Sequence, residues 1–128
     1  MITEILKTYP FIVLDGAFST ELERQGFSIN DDLWSAIALY KNPDMVKAVH
    51  LSYYRAGSDI VTSASYQATL QGFEKKGFTR DEGKKLLRKS VELVQEARDE
   101  YLSSAPEEKR PAPLVAASIG PYGAYLAD

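Results

Sequence analysis

The sequence predicts an α/β fold with parallel strands, and three observations carry the prediction. Short strand-like stretches recur at residues 11–14, 60–63 and 114–119, the first a continuous apolar run of the kind found in strands covered on both faces. Segments with helical periodicity and their own start and stop signals lie between the runs. Each crossover is long enough for parallel pairing. The order strand, helix, strand, helices, strand is that of an α/β chain.

Taken in order, residues 2–7 suit a short helical turn packed against the first strand. The first run, Phe11-Ile12-Val13-Leu14, is too short for a typical helix and stops at the turn signal Asp15-Gly16. Thr20 followed by Glu23 matches a capping box, so a helix is expected to open there, with Gly26 closing the unit. Residues 27–33 read as an irregular loop that leads into Leu33 and Trp34, with a helical turn over 36–40.

The next helix has clearer signals. Asn42 is a cap, Pro43 suits the first helical position and Asp44 complements the dipole. Val46, Val49, Tyr53 and Ala56 form one buried face, and Gly57 is the stop. The second strand, 60–63, runs into the loop Ala64-Ser65-Tyr66-Gln67-Ala68. A short helix is expected over 67–75, ending at Gly77. Thr79 to Glu82 is a second capping box, opening the longest helix to about Ser103. Its stripe is Leu86, Ser90, Leu93 and Ala97, with Leu87, Val91, Val94 and Tyr101 beside it. A loop punctuated by Pro106, Pro111 and Pro113 precedes the third strand, 114–119, which meets the turn Gly120-Pro121-Tyr122-Gly123.

Composition narrows the function. With 128 residues, 45% apolar and 26% charged, the chain has the size and make-up of one ordinary globular domain. A formal net charge of −3 gives no electrostatic footprint for nucleic acid or an anionic membrane. The basic group Lys84, Lys85, Arg88 and Lys89 reads as a solvated helix face. No secretory signal and no apolar run of membrane-span length occurs, so a cytoplasmic protein is expected. The absence of cysteine removes disulfides and thiolate chemistry, and a single histidine cannot build a histidine-rich metal site. Dinucleotide, Walker, nucleophile-elbow and HExxH motifs are missing.

Asp15 is the leading candidate residue. It sits where a strand ends and a helix begins, the edge at which α/β proteins bind ligands. Gly16 lets a ligand approach the backbone, and the amides of Ala17 and Phe18 could receive a carboxylate. A carboxylate beside such amides suits a zwitterion, of which an amino acid is the simplest. A turn aspartate that merely caps the helix fits the spacing equally well. Ser63, Ser65, Tyr66 and Gln67 in the second loop, and Ser118, Gly120 and Tyr122 in the third, share that edge. Each taken singly reads more simply as a polar loop residue facing water. Trp34 suits core packing, and His50 is expected to be structural or exposed.

Three stretches, in order, resemble the homocysteine S-methyltransferases. They are residues 14–22 (Leu-Asp-Gly-Ala-Phe-Ser-Thr-Glu-Leu), residues 56–68, ending Ser-Tyr-Gln-Ala, and residues 117–124, with Gly-Pro-Tyr-Gly. The Tyr66-Gln67-Ala68 run is most similar to the branch that uses S-methylmethionine or S-adenosylmethionine. The resemblance implies a (β/α)8 TIM barrel in which zinc, held by cysteines, binds homocysteine as thiolate for attack on a sulfonium methyl. It implies that Asp15 holds the homocysteine ammonium, that the amides of Gly16, Ala17 and Phe18 hold its carboxylate, and that Trp34 and Tyr66 line the donor pocket.

The family's zinc cysteines belong to later barrel strands, and none is present here. A TIM barrel typically takes about 250 residues. The expectation is therefore an N-terminal portion, residues 1–128, truncated after the third of the barrel's strands, with no catalytic or metal-ligating residue of its own. The missing barrel strands, or self-association, would cover its open sheet. The competing reading is a catalytically inactive amino-acid-binding or assembly module. A different α/β enzyme that shares only the loop geometry is a third.

Overall fold

A computed structural model describes residues 1–27, 37–104, 106, 110–120 and 123. In chain order the elements are α1 (Ile2–Thr8), α2 (Phe18–Arg24), α3 (Ala38–Lys41), α4 (Pro43–Arg55), β1 (Ile60–Thr62), α5 (Leu70–Lys75), α6 (Arg80–Ser103) and β2 (Leu114–Ala116).

Helix α6 owes its start to a reciprocal cap. The Thr79 hydroxyl accepts the Glu82 N–H at 3.2 Å, and the Glu82 carboxylate accepts the Thr79 N–H at 2.7 Å. From there the helix runs 24 residues, burying Gly83, Ser90, Leu93, Val94 and Ala97. That face packs against α4, whose buried residues are Val46, Val49, His50, Leu51 and Tyr54. Helix α4 opens with Pro43 after Asn42, although the Asn42 side chain makes no capping bond. Past its end Gly57 adopts φ +103°, a conformation that strains any residue with a Cβ.

The core follows from that helix pair. One cluster joins Leu22, Ala38, Leu39, Val46, Val49, Ala64 and Leu93. A second, nearer the sheet, joins Leu51, Tyr54, Val61, Val94 and Ala97. Ala56, expected on the buried face of α4, is exposed, and Tyr54 is fully buried instead, its hydroxyl donating to the Leu114 carbonyl at 3.0 Å.

Strands β1 and β2 pair in parallel, Ile60 opposite Leu114, Val61 opposite Val115 and Thr62 opposite Ala116. Both are shorter than the strands expected over 60–63 and 114–119, and the first run departs furthest from expectation. Residues 11–14 lie parallel to β1 but make only a single bridge, Leu14 to Ile60. Phe11 and Leu14 are 62% and 63% exposed rather than buried. Among the described residues this flank has β1 as its only strand neighbour, so its apolar run lies open along an edge. The described sheet is therefore a two-stranded parallel pair with a bridged flank.

The start of α2 is a second correction. The helix begins at Phe18, with Ala17 as a cap that offers no side-chain bond, so the Thr20–Glu23 box is not used. The chain enters the helix directly after Gly16, tied there by the Tyr53 hydroxyl, which donates to the Ala17 carbonyl at 3.0 Å. Glu21 instead accepts two Arg24 bonds at 2.7 Å.

Candidate functional site

β1 is bonded on both sides, and its residues divide between them. Toward β2, the Asp59 carbonyl accepts the Leu114 N–H at 2.8 Å, and the Ser63 N–H donates to Ala116 at 2.9 Å. Toward the first run, the Ile60 N–H donates to Val13 at 3.2 Å, and the Ile60 carbonyl accepts from Asp15 at 3.1 Å. The next donor on that side is the Thr62 N–H. A continued parallel ladder would give it the Asp15 backbone carbonyl, but the chain turns at Gly16. The Asp15 side chain takes the bond instead, Oδ2 accepting the Thr62 N–H at 2.8 Å. Oδ1 accepts the Thr62 hydroxyl at 3.0 Å. Both carboxylate oxygens are thus held by one residue.

This carboxylate lines an open cleft of about 320 Å³ walled by Asp15, Gly16, Phe18, Ser19, Thr62, Ser63, Ala64, Tyr66, Gln67 and Ser118. Among the described residues Asp15 is the only acidic or basic side chain in that lining, and no salt bridge joins it to a described lysine or arginine. Beneath the turn lies the Tyr53 ring, against which a Cβ on Gly16 would come within 3.0 Å of the hydroxyl. Burial, then the charges of Glu21 and Asp15, push the Tyr53 phenol above its ordinary value, so it remains a donor at neutral pH.

The far wall is a serine clasp. Ser63 and Ser65 share a hydroxyl–hydroxyl bond of 2.7 Å. Ser65 donates to the Ser118 carbonyl at 2.8 Å, and the Ser118 N–H donates to the Ser63 hydroxyl at 2.9 Å. The loops after β1 and β2 are thereby joined. Ser63 and Ser65 are buried, so their hydroxyls serve the protein rather than solvent. Gly120 completes the contact, since a Cβ there would collide with the Tyr66 carbonyl. Tyr66 itself is 55% exposed at the rim.

His50 is fully buried with neither ring nitrogen bonded, and its ring centroid lies 5.1 Å from that of Phe18, on the cleft wall. Burial lowers its pKa to about 4, so the imidazole is neutral at pH 7. At the opposite edge of the sheet, Asp59 is 3% exposed. It accepts the Val13 N–H at 2.8 Å and an Arg110 bond at 2.7 Å.

The cleft brings together Asp15, Gly16, Phe18 and Tyr66 of the expected site, with Ala17 adjoining; Trp34 lies outside the described residues. Thr62 was missed. Its signal was its place as the last residue of a strand beside the Asp15 turn, but which side chain meets it depends on register.

Residues 12–128 match the family description for homocysteine S-methyltransferases. The chain belongs to that family. It is 52% identical over 128 residues to the homocysteine S-methyltransferase YbgG of Bacillus subtilis, covering 99% of this chain and 41% of that protein. It is 50% identical over 133 residues to a selenocysteine Se-methyltransferase of Brassica oleracea, covering 98% of this chain and 38% of that one. Among solved structures, the oxidized form of the homocysteine methyltransferase MmuM from Escherichia coli superposes with a TM-score of 0.90 at 47% identity. That match covers 99% of this chain and 43% of the solved one. The metallated form gives a TM-score of 0.86 at 49% identity, covering 96% and 42%. The chain thus spans about two fifths of the length of the relatives it matches. No described helix is long and apolar enough to cross a membrane.

Proposed function

We propose that this chain is the homocysteine-binding part of a homocysteine S-methyltransferase whose full-length form makes methionine from homocysteine and a sulfonium donor, S-methylmethionine or S-adenosylmethionine. The observation that carries the reading is the Asp15 carboxylate: immobilised through both oxygens and the one charged group among the described residues of a polar cleft. Such a group favours a cation of small size, and the ammonium of an amino acid supplies one. The turn at Gly16 brings backbone close to the same space, where the amides of Ala17 and Phe18 would receive the amino acid's carboxylate. Tyr66 at the rim, with Trp34, would face the donor. In the reaction the homocysteine sulfur, attacking as the thiolate after its proton has passed to solvent, forms a bond to the methyl carbon as the bond from that carbon to the sulfonium breaks. The departing sulfur keeps the electron pair and leaves neutral, so it needs no proton.

The residues here do not fit a zinc site. The chain has no cysteine, and no group of three histidine, cysteine, aspartate or glutamate side chains among the described residues could hold an ion. The zinc ligands of this reading belong to other parts of a (β/α)8 barrel, and this chain's contribution is to bind and orient the amino acid. Exposed Phe11, Leu14 and Ile119 are apolar surfaces that further barrel strands would cover. The alternative, an assembly module that covers them with a second copy, predicts a dimer by light scattering. The deciding assay is methyl transfer by the chain extended to the length of its relatives, with zinc and each sulfonium donor. Methionine formation is expected; none from any donor would refute the enzyme reading.

A further inference from the structure

We infer that Thr62 is a positioning residue for substrate selection, acting through Asp15; the inference rests on the reading of Asp15 as the ammonium site. The Thr62 N–H alone would leave the carboxylate free to swing about Oδ2. The hydroxyl bond to Oδ1 at 3.0 Å fixes the second oxygen, and with it the carboxylate plane. Held in this way, the remaining lone pairs have one orientation relative to the cleft wall formed by Gly16, Ser63 and Tyr66. A carboxylate that is already ordered loses less freedom when an ammonium binds.

A purely structural explanation is available: a β-branched residue suits a strand end. Valine, however, is β-branched and nearly the same shape, and it keeps the backbone donor. Only the hydroxyl bond to Oδ1 distinguishes the two residues, so Thr62→Val separates the explanations.

The test uses the full-length protein and two probes, L-homocysteine as substrate and 4-mercaptobutanoate, the same thiol acid without its amino group, as competitor. Thr62→Val should raise the KM for homocysteine about tenfold, the effect of losing one hydrogen bond to a charged group, while the inhibition constant of 4-mercaptobutanoate stays within about twofold. Thr62→Ser, which keeps the hydroxyl, should behave as the parent. Asp15→Asn should show the same selectivity more strongly. If Asp15→Asn is selective for the amino group and Thr62→Val is not, the Thr62 role is overturned and the Asp15 reading stands. If Asp15→Asn weakens both probes equally, the Asp15 reading fails and the Thr62 role fails with it. Should Thr62→Val not fold, Thr62→Ala removes the same donor and is read by the same ratio.

Discussion

The two edges of the small sheet each end in an aspartate that finishes the same interrupted ladder, yet they are built for different purposes. At the amino edge, Asp59 takes the Val13 N–H; at the carboxyl edge, Asp15 takes the Thr62 N–H, both at 2.8 Å. The difference lies in the remaining oxygen. Asp59 gives it to the Arg110 guanidinium, which also donates to the Gly57 carbonyl at 2.8 Å. Charge and hydrogen bonds are both satisfied inside the protein. Asp15 gives its second oxygen to a neutral hydroxyl, so its geometry is fixed while its charge is not matched by a described cation. One aspartate closes a structure; the other is left able to receive a positive group.

The largest expected effect lies at the closed edge. Asp59→Ala removes the carboxylate that accepts both the Val13 N–H and the Arg110 guanidinium, so the loss of two hydrogen bonds to a buried charged group should cost about 3–5 kcal/mol in urea unfolding. A cost below about 1 kcal/mol would erase the contrast.

The next effect is acid sensitivity near the open edge. The folded pKa of His50, about 4, is below the unfolded value of 6.5, so the unfolded chain binds the extra proton first. Stability from the neutral imidazole is complete above about pH 6.5 and is lost as pH falls toward 4. The loss should total about 3 kcal/mol at roughly 1.4 kcal/mol per pH unit, and His50→Leu should flatten this part of the profile. An unchanged profile in that variant would assign the acid limb to other groups.

Smaller still is the clasp. Ser65→Ala breaks bonds to both Ser63 and Ser118 and should cost about 1–2 kcal/mol, measured by thermal unfolding. Smallest is Asp15→Asn. It keeps an acceptor for the Thr62 N–H and should change stability by less than about 1 kcal/mol, far less than Asp59→Ala, while removing the negative charge of the cleft. Calorimetric titration of the full-length protein with homocysteine should then show Asp15→Asn weakening binding more than Asp59→Asn. Equal weakening would end the special role of Asp15.

Legibility in the sequence followed the range of the interactions. The Thr79 cap and the span of α6 depend on neighbours a few residues apart, and they are readable residue by residue. The Asp15–Thr62 pair and the serine clasp were not, because each joins residues about fifty positions apart through sheet register. Thr20 and Glu23 satisfied a local rule that tertiary anchoring overrode, as Tyr53 tied the chain at Ala17, three residues upstream of the expected cap at Thr20. The first strand was misjudged because an apolar run reports what a segment would bury, not whether anything covers it: Phe11 and Leu14 are apolar and exposed. His50 illustrates the converse, a polar residue placed wholly inside.

The central position of β1 also bears on how the chain assembles. Its two flanks reach it by closing loops of similar length: 46 residues separate Val13 from Asp59, and 51 separate Asp59 from Arg110. Closure entropy depends only on the logarithm of that length, so it gives neither flank a lead. Contact energy decides the order. The β2 flank brings a full parallel pairing, the Arg110 ion pair and the serine clasp, whereas the first run brings one bridge and the bonds of two aspartates, with Phe11 and Leu14 left exposed. The first run should therefore dock last and detach first, which makes the half of the cleft that carries Asp15 the final part of this chain to form.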